Sequence, residues 1–287
     1  MSLRSLDGQG GDLIPTKPSS TVATDAAIYN RTLNMHPARI AELLQPFLSP
    51  IQNPCHSEPG QRPGEEPAVL SATQLQQIST YIDILLHWNA RINLTAIRNE
   101  EEIVTRHFGE SLFAARHLFP KPVSSSVAPV SGACPERSRR VVKDFHSVNE
   151  RVADLGSGAG FPGIPIKLWA ANIALTLIES NQKKATFLRE VTRALTLTDI
   201  NIQNVRAETL PPSTFNVVTL RAVERFENVL SVAARLVAPS GRLALLIASS
   251  QLETARSTLP DVDWKPPLQV PQSQSRLLLV GRPEPRR

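Results

Sequence analysis

Apolar residues recur at intervals of three and four near the start of the chain. After residue 150 they give way to short apolar runs set between helical stretches. Ile40, Leu43, Leu44 and Phe47 predict an amphipathic helix from Pro37, which the Pro-, Gly- and Glu-rich segment 49–67 ends. Leu75, Ile78, Ile82, Leu85 and Leu86 predict a second helix, with Ser71 or Thr73 available as its cap. Later, a short apolar run ending at Leu155 and the runs 173–178, 200–205, 215–220 and 241–248 read as strands. Helices fall at 181–195, with Phe187, Leu188, Val191 and Leu195 on one side, and after Arg221 as far as Val237. Residues 268–270 and 276–280 can close the chain as an antiparallel hairpin. Alternating strands and helices predict an α/β protein with a doubly wound parallel sheet, preceded by a helical cap.

This pattern divides the chain into a low-order extension (1–34), a helical region (35–120) carrying an insert at 49–67, a second low-order insert (121–149) and an α/β core (150–287). The 287 residues suffice for one sizeable domain with appendages. A formal charge of +5 tilts the partner towards an anion such as RNA, although a solvated basic surface has the same composition. The run Pro135–Arg140 in the second insert carries the same two readings. Cys55 and Cys134 sit among Pro, Ser and Arg, without metal-ligand spacing, and read as free thiols. No apolar run has membrane-spanning length and no signal pattern opens the chain, so the expectation is a cytoplasmic monomer that uses neither membrane nor metal.

The hub is Asp154-Leu155-Gly156-Ser157-Gly158-Ala159-Gly160-Phe161-Pro162-Gly163, where a strand runs through glycines into a helix predicted to begin at Pro162. Glycine lets backbone approach a ligand closely, and such turns bind nucleotide-like molecules in α/β sheets. Gly158, Gly160 and Gly163 fit the dinucleotide fingerprint G-x-G-x-x-G. Asp154, Gly156, Gly158 and Gly160 fit D-x-G-x-G-x-G, the first motif of S-adenosylmethionine-dependent methyltransferases. A third possibility is a tight packing turn without a ligand. Two final strands with no helix between them suit a methyltransferase sheet better than a dehydrogenase's second half. Glu179, some 20 residues downstream, can accept both ribose hydroxyls, and Ala207-Glu208 lies where an adenine ring would be bracketed. Asn89, Asn93, Arg106 and His107 interrupt the apolar pattern and are either buried hydrogen-bonding residues or face the ligand cleft.

The words Leu86-His87-Trp88-Asn89 through Asn93-Leu94-Thr95, Arg106-His107 with Glu110-Ser111, Asp154 through Pro165, and Arg221-Ala222-Val223 resemble, in order and spacing, the bacterial 16S rRNA guanine-N7 methyltransferase family, RsmG or GidB. The resemblance runs from about Pro37 to Arg282, interrupted by the two inserts. It implies S-adenosylmethionine bound by Gly156, Phe161, Ala207, Glu208 and Arg221, with Glu179 on the ribose. The implied substrate is a guanine in small-subunit rRNA. Gly109 and Glu110 stand where the family has a larger apolar residue and Asp, and the family's Lys-Gly after the fifth strand is absent here.

The chemistry agrees with that substrate class. No Asn/Asp-Pro-Pro-aromatic follows the fourth strand, as exocyclic-amine chemistry would use, and no nucleophilic cysteine is placed for carbon methylation. Guanine N7 has a free lone pair, so alignment suffices and no general base is assigned. Arg221, ending the fourth strand, can hold the methionine carboxylate or an RNA phosphate, or form a structural salt bridge. Arg106, His107, Lys183, Lys184, Arg189 and Arg193 are the candidates for RNA contact. The rival readings are a non-catalytic RNA-binding protein on a decayed methyltransferase fold and an NAD-dependent oxidoreductase.

Overall fold

A computed structural model describes residues 35–49, 69–121, 150–221 and 226–284, all within the unit Asn34–Arg287. The extension 1–34, most of both inserts, both cysteines and the Ala222-Val223 half of the Arg221 word lie outside the described residues. Helix α1 is Pro37–Leu48 and buries Ile40, Leu44, Phe47 and Leu48. Helix α2 is Ala72–Asn89, and Ser71 closes a capping box with Gln74 at its start. Then comes one continuous helical stretch: α3 (Glu100–Glu102), a π-helical turn (Ile103–Gly109) and α4 (Glu110–Leu118).

The core alternates β1 (Arg151–Leu155), α5 (Gly163–Trp169), β2 (Ala174–Ile178), α6 (Gln182–Ala194), β3 (Ile200–Gln203), β4 (Phe215–Arg221), α7 (Phe226–Leu236), β5 (Val237–Ala248), α8 (Leu252–Thr258), β6 (Val262–Trp264), β7 (Leu268–Gln269) and β8 (Arg276–Pro283). The sheet runs β3-β2-β1-β4-β5-β8-β6. Strands β1 to β5 are mutually parallel, while β8 is antiparallel to β5 and to β6. The strand order reverses between β1 and β4, so the ligand crevice of an open α/β sheet is expected at the carboxyl ends of those two strands.

Period-two alternation sends neighbouring residues to opposite faces. Val152, Leu175, Leu177, Val217, Leu246 and Leu278 pack with α1, α2, the π-helical turn, α4, α5 and α6. Ala153, Leu155, Val218, Leu220, Leu245 and Leu279 pack with α7 and α8. The helical cap therefore covers one face of the sheet, and Asp154, Thr219 and Arg221 project on that face.

The structure corrects several boundaries, among them the start of β5, at Val237 rather than Gly241. Helix α5 begins at Gly163, one residue beyond Pro162, whose φ of −90° and ψ of −1° make it the flanking residue. Strand β3 stops at Gln203, and the short 3-10 turn Ala207–Thr209 follows. The closing hairpin is only two residues deep, since Leu268 and Gln269 pair with Leu278 and Leu277 while most of β8 pairs with β5. The segment after β5 also holds α8 and β6, which periodicity did not expose because α8 buries only Ala255 and β6 only Val262.

Candidate cofactor site and substrate mouth

The glycine turn leaves the carboxyl end of β1 and is pinned to the neighbouring strand. The N–H groups of Gly156 and Ser157 both donate to the Ile178 carbonyl, at 2.9 and 3.1 Å. Gly156, Gly158 and Gly160 have φ of 65°, 53° and 86°, a region that side chains rarely adopt. Gly156 is exposed and Gly158 half-buried. A Cβ on Gly158 would meet nothing nearer than the Gly156 carbonyl oxygen at 3.7 Å. A Cβ on Gly160 would lie 2.4 Å from the Tyr81 hydroxyl, and one on Gly163 2.8 Å from the Asp154 carboxylate.

The two acids of the motif have separate roles. Asp154 is fully buried; Thr219 Oγ1 donates to its Oδ1 at 2.8 Å and the Gly163 N–H to its Oδ2 at 3.2 Å. It ties β1, β4 and the start of α5 together, and desolvation raises its pKa to about 6 against these hydrogen bonds. Glu179 ends β2 at 7% exposure. Its oxygens accept from the Gly158 N–H at 2.9 Å and the Asn181 N–H at 2.7 Å, and Asn204 Nδ2 donates to its carbonyl. The carboxylate thus stands against the open half of the turn. Ala207 is half-buried and Glu208 exposed in the 3-10 turn beyond β3, at the same edge of the sheet.

Phe161 joins the turn to the cap. Its ring stacks on Tyr81 at 5.3 Å and on His107 at 4.7 Å, and meets Phe108 edge-on at 5.1 Å. The buried Tyr81 hydroxyl donates to the Ala159 carbonyl, and burial raises its pKa well above the usual phenol value. His107 lies in the π-helical turn, with Nε2 2.8 Å from the Thr95 hydroxyl and Nδ1 buried without a partner among the described residues. Burial first, then the positive charges of Arg221, Arg106 and Arg276, lower its pKa to about 3, so the ring is neutral at pH 7.

Arg221 Nη2 donates to Glu110 Oε2 at 3.0 Å and to the Arg106 carbonyl at 2.7 Å, and its Nε is buried without a partner among the described residues. Both side chains of the Arg221–Glu110 pair are under one-tenth exposed. The structural salt bridge is therefore present. Gly109 sits against α1, where a Cβ would come within 2.6 Å of the Phe47 ring, so this chain has no room for a larger residue there.

Among the polar words, Asn89 is a loop clamp: its Oδ1 accepts from the Leu94 and Thr95 N–H groups and its Nδ2 donates to the Thr95 carbonyl. Asn93 is exposed. Arg106 is exposed and pairs with Glu102 at 2.9 Å. The basic residues of α6 do not form one patch. Lys183 and Lys184 sit in its first turn, at the edge that holds the glycine turn, with Asn181 capping both N–H groups. Arg189 and Arg193 are exposed farther along, and Arg193 lies about 15 Å from Lys183 along the axis.

A cavity of about 350 Å³, lined by Phe226, Glu227, Asn228, Gln251 and Thr254, opens between the starts of α7 and α8, at the carboxyl ends of β4 and β5. Strand β5 ends in Ala248 without a lysine, and the cation at this edge comes from β8, where Arg276 pairs with Ala248. Sequence reasoning missed Tyr81, Thr219 and Arg276. A tyrosine within the apolar stripe of α2 was the available signal for the first, since a buried hydroxyl needs a partner.

A doubly wound sheet with antiparallel β8 between β5 and β6, and an open glycine turn at its switch point, defines the class as a Rossmann-like methyltransferase. The family model for rRNA small subunit methyltransferase G matches residues 74–129 and 138–269, and the chain belongs to that family. The match includes most of segment 121–149 and leaves out only 130–137 of it. Ribosomal RNA small subunit methyltransferase G of Xylella fastidiosa strain 9a5c is 34% identical over 203 residues, covering 70% of this chain and 82% of the relative. The Chloroflexus aggregans protein of the same name is 31% identical over 227 residues, covering 74% and 82%. That of Bacillus subtilis strain 168 is 32% identical over 189 residues, covering 64% and 68%. Among the described residues, no three His, Cys, Asp or Glu side chains form a metal-binding group, and no helix is long and apolar enough to cross a membrane.

Proposed function

We propose that this chain transfers the methyl group of S-adenosylmethionine to N7 of a guanine in 16S rRNA of the small ribosomal subunit, acting in the cytoplasm as a monomer. The observation that carries the reading is the open half of the glycine turn, set against Glu179 at the sheet's switch point in a chain of this family. The residues fit the cofactor. Gly156 and Gly158 offer backbone with no Cβ in the way, Glu179 offers carboxylate lone pairs to a ribose, and Ala207 and Glu208 flank the same edge. When bound, S-adenosylmethionine supplies an electrophilic methyl group on a sulfonium.

The chain's own part is alignment and exclusion of water. Guanine N7 attacks through an in-plane lone pair, so no proton has to be removed. The buried groups agree with that. Asp154 is fully engaged by Thr219 and Gly163, and burial leaves His107 too weak a base to hold a proton at neutral pH, so neither is placed as a general base, and His107 adds no positive charge beside a purine that is becoming cationic. Arg221 braces the π-helical turn through Glu110, and its Nε is a buried donor without a partner among the described residues, available to a carboxylate or phosphate.

The test is transfer of labelled methyl from S-adenosylmethionine to small subunits from cells lacking this gene, followed by mass mapping of the modified nucleotide. Label on N7 of one guanine is expected. Label elsewhere overturns the assigned atom, and cofactor binding without transfer favours the non-catalytic RNA-binding alternative.

A further inference from the structure

We propose that Arg276 binds a backbone phosphate of the RNA next to the target nucleotide; this rests on the activity proposed above. The sheet register places it. Arg221 pairs with Leu246 across β4 and β5, and Leu246 pairs with Leu278 across β5 and β8. Arg276, two residues before Leu278, therefore projects on the same face as Arg221, one pleat nearer the carboxyl edge and two strands across, about 12 Å away at usual strand spacing and rise. It faces the substrate side of the edge, over the ends of β5 and β8. The glycine turn and Glu179 occupy the other side, over β1 and β2.

The charges around it are unequal. Arg106, Arg221 and Arg276 gather around His107, and all three act on its titration. Arg106 is paired with Glu102, and Arg221 with Glu110. Among the described residues Arg276 makes no ion pair and no side-chain hydrogen bond, so none of them compensates its positive charge. The side chain is half-buried, which lowers its hydration before any ligand arrives. A guanidinium in that state matches the planar, bidentate acceptor pattern of a phosphate better than a freely hydrated surface lysine does.

The experiment measures methyl transfer to unmethylated small subunits by the full chain, as KM and kcat for wild type, Arg276→Gln and Arg276→Lys, at salt between about 50 and 200 mM. Cofactor affinity is measured separately by calorimetry. Arg276→Gln is expected to raise the KM for the subunit about tenfold, leave cofactor affinity alone and flatten the log–log salt dependence by about 0.7 to 0.9, the value of one phosphate contact. Arg276→Lys is expected to keep the slope with a smaller rise in KM. A wild-type slope in Arg276→Gln overturns the proposal, as does a parallel loss of cofactor affinity, which would assign the residue to the cofactor. Should the Gln variant fail to fold, the Lys variant decides: a raised KM at the wild-type slope supports the contact, and an unchanged KM overturns it. Absence of transfer by the wild type overturns the activity and the contact together, and is distinct from an active wild type matched by its variants.

Discussion

The glycine turn has two halves that look alike in sequence and differ in three dimensions. Gly156 and Gly158 present backbone to open space, whereas Gly160 and Gly163 are glycines because Tyr81, Ile164, Leu177 and Asp154 occupy the volume a side chain would take. The inner half continues into a buried polar framework, made by Asp154 with Thr219 and the Gly163 N–H, and by Tyr81 with the Ala159 carbonyl. The outer half is held at its backbone, by the Gly156 N–H on the Ile178 carbonyl and the Gly158 N–H on Glu179. If the open half holds the cofactor as proposed, one motif serves stability and binding through adjacent residues, and substitutions in each half should separate the two.

Gly160→Ala tests the inner half most severely. The added methyl would sit 2.4 Å from the Tyr81 hydroxyl and 2.6 Å from the Ile164 side chain, at a φ of 86°. Neither neighbour can withdraw, because both lie in the core. The expected loss is about 4 kcal/mol or more, read as little folded protein or a much lower denaturant midpoint. A midpoint like the wild type's would show that the inner half is as open as the outer.

Glu110→Ala extends the test to the cap. It strips the carboxylate from a buried pair and leaves the Arg221 charge uncompensated beside Arg106 and Arg276. Breaking such a pair costs about 3 to 5 kcal/mol, measurable by denaturant unfolding. A loss below about 1 kcal/mol would place the pair with solvent-screened surface bridges.

The pH dependence comes from the same inner framework, with two groups acting in opposite directions. Asp154 titrates near pH 6 in the folded chain, above its ordinary 3.8, so its contribution is fully present below about pH 4 and is lost as pH rises through 6. His107 titrates near 3, below its ordinary 6.5, so its contribution is present above about pH 6.5 and is lost as pH falls. Across its full window the Asp154 contribution is on the order of 3 kcal/mol at most and the His107 contribution on the order of 5 kcal/mol at most. Melting curves of Asp154→Asn and His107→Phe, compared with wild type from pH 4 to 7, should diverge from it with opposite slopes. Slopes of the same sign would contradict the assigned burial.

How much of this was legible in the sequence follows from the same contrast. The alternation of the five parallel strands with helices, the amphipathic helices α1, α2 and α6 and the glycine turn were readable, because each leaves a run or a period over enough residues. Strand β6 and helix α8 were not, since each is short and buries a single residue. The acids were found by spacing, but spacing could not tell Asp154, closed inside the framework, from Glu179, which faces the open turn. Likewise Arg221 was marked by its place at a strand end, while its pairing with Glu110 joins residues 111 positions apart. Arg276 left no trace, because only the antiparallel return of β8 brings it to the mouth.

Gly158→Ala is the smallest change in stability and the sharpest test of the comparison. A Cβ at this position meets only the Gly156 carbonyl oxygen at 3.7 Å, an ordinary contact, so no packing is lost. The remaining cost is that of a φ of 53° on a residue with a side chain, about 1 kcal/mol. The N–H that donates to Glu179 is retained in alanine, so the acid stays in place. The methyl group does, however, project into the side of the turn that the cofactor approaches, where glycine alone leaves room. The variant should therefore melt within a few degrees of the wild type yet lose about tenfold or more in affinity for S-adenosylmethionine by calorimetry, a difference of at least about 1.4 kcal/mol. Wild-type affinity in a folded Gly158→Ala chain would mean that the cofactor does not lie against this half of the turn.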